Sequence, residues 1–181
     1  MDQSQPFGTH LEEMVTIPGM GDQRKRFETR FRSELSWRDG TVDGVPSWYS
    51  QLLTDLSLAT GEDEIRYFSA KYVAPRGESH ASVSVVAFTA EIVAYANFDG
   101  DPGAGSTPLE VIVTARKALS SFGLESFADD AEPTGDGLGD VRITVNYPQF
   151  SRTLPLGESD WSDRNSETAD LIACLRRDVV A

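Results

Sequence analysis

The chain has 181 residues, of which 39% are hydrophobic and 25% are charged, and its formal net charge is −13. This length suffices for one domain with a buried core, and no apolar run approaches the roughly 20 residues that a membrane-spanning helix needs. An acidic surface repels nucleic acid and anionic lipid at long range, so neither is an expected partner. A protein partner is compatible with this charge.

Two features bear on the cellular compartment. Residues 1–5 lack the basic segment followed by an apolar one that begins a secretory signal peptide. Cys174 is the only cysteine, so the chain cannot form an internal disulfide. Both features favour a reducing environment, and we predict a cytoplasmic protein.

The first third of the chain is predicted to be an arm followed by two helices. Proline and glycine punctuate residues 1–21, which indicates a loose arm. Residues 22–62 are predicted to form a helical extension. Its first helix begins at Asp22 and has an apolar stripe of residues with four-residue spacing, namely Phe27, Phe31 and Leu35.

The second helix of the extension is predicted over about residues 46–60. Proline at position 46 suits a first helical turn, because its missing N–H has no helical partner there. Gly61 is expected to end the helix, since glycine adopts the left-handed conformation at little cost.

The rest of the chain is dominated by strand patterns. The clearest is V-R-I-T-V-N-Y at 141–147, in which apolar and polar residues alternate. Residues 115–122 fit either a short helix or a continued strand. The other predicted strands lie at 65–74, at 109–114 and at 152–156. The stretch at 81–98 is long for one strand, so we expect a bend, a bulge or two strands meeting near 89–91.

These elements predict an α+β fold. Consecutive strands without long helical crossovers favour an antiparallel sheet. Such a sheet must hide its apolar face, so we expect a bent sheet or partly open barrel over residues 63–181, covered by a C-terminal helix. That helix has four apolar positions on one side, namely Ala169, Ile172, Leu175 and Val179.

In its layout the chain resembles a pleckstrin-homology-like domain over roughly residues 64–180. The segments that carry the resemblance are V-R-I-T-V-N-Y, then R-T-L-P-L-G, then the helix T-A-D-L-I-A-C-L-R-R. Lipid-binding members of that family place several basic residues around the first hairpin, whereas this chain offers Lys71 and Arg76 with Glu78 close by. The resemblance therefore implies peptide or protein binding rather than phosphoinositide binding.

One basic cluster is a candidate partner-binding surface. It combines five cations with an amphipathic pattern, and such a helix can meet an acidic partner, a nucleic-acid backbone or a membrane surface. A homodimer formed through the N-terminal helices is a separate expectation. The alternative is a solvated face paired with the protein's own acids. The residues are Arg24, Lys25, Arg26, Arg30 and Arg32.

No catalytic motif is present, and we expect neither a metal nor another cofactor. The chain has no G-x-S-x-G element and no P-loop. His10, His80 and Cys174 are too few and too scattered to predict a zinc site. The acidic stretches at 99–110 and 129–140 are expected to be hairpin loops rather than calcium sites.

Three functions fit this sequence. The first is a non-catalytic interaction or regulatory module that recognises a protein through a sheet edge, the groove beside the last helix, or the basic helix. The second is a ligand carrier or small enzyme with a site inside the bent sheet, lined by Arg66, Tyr67, Lys71 and Tyr72. The third is an acidic inhibitor of the immunity-protein type, which ranks last because the acids are scattered through loops.

Overall fold

The computed structural model describes six segments of the chain, namely residues 19–35, 47–73, 81–101, 109–127, 140–157 and 165–180. Three α-helices and seven strands lie within these segments. In chain order the elements are α1 (Met20–Glu34), α2 (Ser47–Thr60), β1 (Tyr67–Val73), β2 (Ala81–Phe88), β3 (Ile92–Gly100), β4 (Glu110–Ala115), a 3-10 turn (Arg116–Ala118), β5 (Ser121–Phe127), β6 (Asp140–Asn146), β7 (Ser151–Leu154) and α3 (Asn165–Val180).

The strands form two antiparallel sheets, each in chain order. The first sheet is β1-β2-β3-β4 and the second is β5-β6-β7. This arrangement, with helices before the strands and a helix after them, confirms the predicted α+β class. The strands are divided between two sheets and do not close into a barrel.

Two local details of the strand region were left open by the sequence. The apolar stretch at 81–98 is a hairpin, in which Phe88 pairs with Val93 across a short turn. The turn is supported by the Thr89 hydroxyl, which accepts hydrogen bonds from the N–H groups of Glu91 and Ile92. Residues 115–122 contain both candidate structures, since a 3-10 turn precedes the start of β5.

The central strands of the first sheet bury apolar side chains on both faces. Along β2, Val83, Val85 and Ala87 belong to the core on the helix side. Val86 and Phe88 belong to the core on the other side, against the second sheet. Alternation along a strand sends neighbouring residues to opposite faces, so a strand that is apolar at nearly every position needs cover on both sides.

Helices α1 and α2 cover one face of this sheet. Phe27 and Phe31 are fully buried, and their rings lie 6.0 and 5.0 Å from that of Phe68 on β1. The predicted apolar stripe on α1 thus packs on the sheet itself. Whether residues 22–62 and 63–181 behave as separate units stays a prediction, and residues 1–18 lie outside the described part of the chain.

The second sheet and α3 cover the opposite face. Val141, Ile143 and Val145 of β6 are buried, whereas Arg142 between them is exposed, as the alternating pattern predicted. Aromatic stacking joins the layers: Phe150 lies 5.1 Å from Tyr95 of β3 and 5.0 Å from Tyr147, measured between ring centroids. From α3, Leu171 and Leu175 enter the same core.

A buried glutamine joins the two N-terminal helices. The side-chain amide of Gln23 on α1 donates to the Thr60 hydroxyl at 3.0 Å and to the Asp63 carbonyl at 2.9 Å. Gly61 ends α2 in the predicted left-handed conformation, with φ of 59°. No helix in the described segments is long and apolar enough to cross a membrane.

Replacing Gly61 with alanine should destabilise the fold through the backbone alone. No atom lies within 4 Å of a β-carbon built at Gly61, but its φ of 59° is costly for alanine, by about 1–2 kcal/mol. Gly21→Ala is the control, since Gly21 is helical and equally unobstructed, and alanine there should be neutral or stabilising by up to about 1 kcal/mol. Urea unfolding measures both, and a loss at both positions would contradict this reasoning.

A tyrosine hydroxyl in the second core supplies another test. The Tyr147 hydroxyl is buried without a hydrogen-bond partner among the described residues, whereas the Tyr95 hydroxyl accepts a hydrogen bond from Arg152. Tyr147→Phe should therefore preserve or raise the free energy of unfolding, and Tyr95→Phe should lower it by about 1 kcal/mol. Equal losses from both substitutions would show that the Tyr147 hydroxyl has a stabilising partner.

The same hydroxyl should make stability fall at alkaline pH. Burial raises the pKa of Tyr147, because the phenolate would lose its hydration. The stability that comes from this raised pKa is fully present below the ordinary tyrosine pKa of about 10. It declines above that pH, because Tyr147 ionises there only in the unfolded chain. The Tyr147→Phe protein should lose less stability between pH 9 and 11 (roughly one pH unit on either side of that ordinary value).

Candidate functional site

Two concave surfaces flank α3. One, here called the arginine cleft, lies between α3, α1 and the segment that leads into β1. The other, here called the β5 groove, lies between α3 and the inner face of β5 and β6. Successive residues of a helix point in different directions, so α3 supplies different side chains to each surface.

The arginine cleft has a volume of about 490 Å³. Four arginines from different parts of the chain line it, namely Arg30, Arg66, Arg116 and Arg177. Three acids also line it, namely Glu64, Glu167 and Asp170. This gathering of cations contrasts with the net charge of −13 of the whole chain.

Arg116 is a buried connector at one end of the cleft. Its Nε and Nη2 atoms donate to the Asp178 carboxylate of α3 at 3.0 and 2.6 Å. Its Nη1 atom donates to the carbonyls of Thr89 and Ala90 in the β2–β3 turn, both at 3.0 Å. Burial alone would lower the pKa of Arg116, but the bonds and charge of Asp178 outweigh burial and raise this pKa.

Arg30 makes a second connection to α3, near the helix start. Its Nη1 atom lies 2.5 Å from the Glu167 carboxylate, and its Nη2 atom donates to the Ile65 carbonyl at 3.4 Å. This pair is about one-third exposed on each side. Helix α3 is therefore tied to α1 near its first turn and to the 3-10 turn near its last.

Four other charged residues of the cleft form no ion pair within the described segments. Within the described segments, neither Arg66 nor Arg177 forms an ion pair with a carboxylate, and neither Glu64 nor Asp170 pairs with a cation. Among the described residues, Arg177 donates only within its own helix, to the Ala173 carbonyl and to the Cys174 sulfur at 3.1 Å. Two cations and two anions thus line one cavity without pairing with each other.

The β5 groove has a different character. Its volume is about 460 Å³. Most of the side chains that line it are apolar or small, and Arg176 is its charged member. The lining residues are Leu124, Ser126, Val141, Ala169, Ile172, Ala173 and Arg176.

The groove lies where the inner face of β5 is only partly covered by other elements. Leu124 pairs with Ile143 across the sheet, so both side chains lie on the inner face. Ile143 is 1% exposed beneath the first sheet, whereas Leu124 is 47% exposed. In the described segments β5 pairs only with β6, so no described strand pairs with its other edge.

Three of the five basic residues predicted as a partner surface on α1 make hydrogen bonds or ion pairs within this chain. Arg24 donates to the Ser50 hydroxyl of α2 at 3.0 Å and lies 3.5 Å from Glu28. Arg26 donates to the side-chain oxygen of Gln23, and Arg30 pairs with Glu167 as described above. Lys25 and Arg32 are exposed and make no ion pair within the described residues. A role for this helix in binding a partner stays a prediction.

The four predicted ligand-binding residues are not brought together. Arg66 and Tyr67 line the arginine cleft. Tyr72 packs on the helix side of the sheet, where its ring lies 5.9 Å from that of Trp48. Lys71 is exposed near the end of β1, outside the cleft lining.

Sequence reasoning missed Arg116, Asp178 and Leu124. Arg116 follows a strand, where an arginine is ordinarily solvated, and its partner lies 62 residues away. Leu124 lies in no predicted strand, since it follows the ambiguous segment at 115–122. An apolar residue between Gly123 and Glu125 was the only local signal there.

Metal ligands are not grouped in the described segments, where no three His, Cys, Asp or Glu side chains are placed to hold an ion. His10, His80 and most of the two acidic loops lie outside those segments. Comparisons of the chain with protein-family models, curated proteins and solved structures found no match.

The two ion pairs of α3 should differ sharply in their effect on stability. Arg116→Met leaves a buried carboxylate and two carbonyls without their donor, and should lower the free energy of unfolding by about 3–5 kcal/mol. Arg30→Met disrupts a pair that water can screen, and should cost about 1 kcal/mol or less. Urea unfolding with double-mutant cycles, adding Asp178→Leu or Glu167→Leu, measures both couplings, and equal couplings would contradict the assignment.

Proposed function

We propose that the protein is a non-catalytic interaction module whose β5 groove binds an extended segment of a partner protein. The observation that carries the proposal is Leu124, which faces inward by its register but is nearly half exposed. An apolar side chain in that position gains from contact with another apolar surface. Helix α3 and β5 supply the two walls of the site.

The open edge of β5 suits main-chain recognition. Alternate N–H and C=O groups of an edge strand point away from its neighbour and can pair with an added strand. Main-chain bonds hold such a segment, and side-chain pockets select its residues. Here the pocket beside the edge is apolar, which favours segments with apolar residues at alternate positions.

Arg176 gives the groove a polar rim. It is exposed on α3 and lines the groove opposite the strand. A carboxylate on the bound segment can form a charge-assisted hydrogen bond with its guanidinium. The preferred partner segment is therefore extended and apolar, with an acidic residue near the helix.

The proposed resemblance to pleckstrin-homology-like domains supports the same reading. Its support lies in the layout, in which antiparallel strands are followed by a C-terminal helix that packs against them. Protein binding is what that resemblance implies for a chain without a basic first hairpin. Fold alone does not establish function, so the groove carries the proposal.

The other readings have less support. Arg24, Arg26 and Arg30 are engaged inside the protein, which leaves the basic helix less charge for a partner or a second copy. A ligand carrier, an acidic inhibitor, an enzyme and a cytoplasmic location stay predictions from the sequence.

Leu124→Glu should abolish binding at the groove while leaving the fold intact. Extended peptides selected from a random display library on the whole protein serve as probes, with affinity measured by calorimetry. Val113→Glu is the matched control, because Val113 also lies on an edge strand and is 45% exposed, but it is on β4, far from the groove lining. We expect a loss of about tenfold or more for the first variant and none for the control.

Chemical-shift mapping locates the bound peptides independently. Shifts confined to β5, β6 and α3 would support the proposal. Selected peptides that bind the Leu124→Glu protein with full affinity, or that shift residues of α1 instead, would refute it.

A further inference from the structure

We propose that the arginine cleft binds a small zwitterion with an apolar body, of the size of a short peptide with free termini. This inference is independent of the β5 groove, because the linings of the two surfaces share only Ala173. A volume of about 490 Å³ lies within the range of about 300–1,000 Å³ that small-molecule sites occupy.

Arg66 and Arg177 are the groups that would accept the anionic end of the ligand. Both line the cleft, and neither pairs with a carboxylate in the described segments. A guanidinium offers five N–H donors in a planar fork that matches a carboxylate. In its bonds to described residues Arg177 uses Nε and Nη2, both within α3, so Nη1 is available to a ligand.

Glu64 and Asp170 make a purely anionic ligand unsuitable. Both carboxylates line the same cavity, and neither forms an ion pair within the described segments. A phosphate or dicarboxylate would meet their repulsion, and a diamine would meet that of the arginines. A ligand with an ammonium group at one end and a carboxylate at the other satisfies all four groups.

Apolar and aromatic side chains also contribute to the cleft. Tyr67, Phe88 and Leu171 line the cleft and are otherwise buried. Apolar walls with a few charged groups are typical of sites that hold small molecules in one orientation. The ligand's body should therefore be apolar, as in a peptide of leucine or phenylalanine.

The two ion pairs of α3 position the helix beside the cleft and do not involve the four charged groups assigned to the ligand. Arg30 and Glu167 neutralise each other, and all three donor nitrogens of Arg116 are engaged by Asp178 and the turn carbonyls. Helix α3 is thereby tied to both neighbouring elements that form the opposite wall. A cleft held in place before binding loses less freedom when the ligand enters.

Leu-Leu and Phe-Leu with free termini are the probes, with binding measured by calorimetry and amide chemical shifts on the whole protein. Their N-acetyl forms, their C-terminal amides and inorganic phosphate are the comparison ligands. We expect the free dipeptides to bind and each blocked form to bind about tenfold or more weakly, because each loses a charge-assisted hydrogen bond. Phosphate should bind no better than the blocked forms.

Variants locate the site. Arg177→Gln and Asp170→Asn should each weaken dipeptide binding about tenfold. Arg176→Gln is the control, since this neighbouring arginine lines the β5 groove instead. Thermal unfolding should show that all three variants stay folded.

Several results would overturn the proposal. These are no dipeptide binding at millimolar concentration, equal binding of free and blocked forms, tighter binding of phosphate, or an equal loss in Arg176→Gln and Arg177→Gln. Leu124→Glu should leave dipeptide binding unchanged, so failure of the cleft and failure of the groove can be told apart.

Discussion

The first sheet is covered on both faces, and the positions of the other elements follow from that burial. Most residues of β2 and β3 are apolar and they alternate between the two faces, so leaving either face in water would expose several side chains that each stabilise the fold by about 1.5–3 kcal/mol when buried. Helices α1 and α2 cover one face, and the second sheet with α3 covers the other. The three layers are therefore parts of one packing arrangement around a central sheet.

The second sheet and α3 cover their face of the first sheet incompletely. The two concave surfaces lie at the borders of the covered area. The second sheet has three strands against the four of the first, and β5 is only partly covered. Leu124 faces inward beside the buried Ile143 but is 47% exposed. On the other side of α3, polar and charged residues fill the boundary between α3, α1 and the start of β1.

Helix α3 belongs to both surfaces, and two kinds of contact hold it. Leu171 and Leu175 insert into the core, which gives the helix its cohesion with the sheets. Ion pairs at Glu167 and Asp178 connect it to α1 and to the 3-10 turn. The apolar contacts hold the helix against the sheets. The directional bonds fix its position and rotation, so the side chains that line the two surfaces keep their relative positions.

Local patterns in the sequence predicted the three helices and most of the strands, although not β5. The alternation at 141–147, the stripe containing Phe27 and Phe31 and the stop at Gly61 all appear in the structure, because each depends on neighbours within a few residues. Only the tertiary structure decided how the strands divide into two sheets, that Arg116 is buried against Asp178, and that Leu124 is left uncovered. Those features depend on contacts between residues far apart in the chain, and on where one layer stops covering another. No local period encodes such contacts, which is why the sequence named Arg66 and Tyr67 of the arginine cleft but missed Arg116, Asp178 and Leu124.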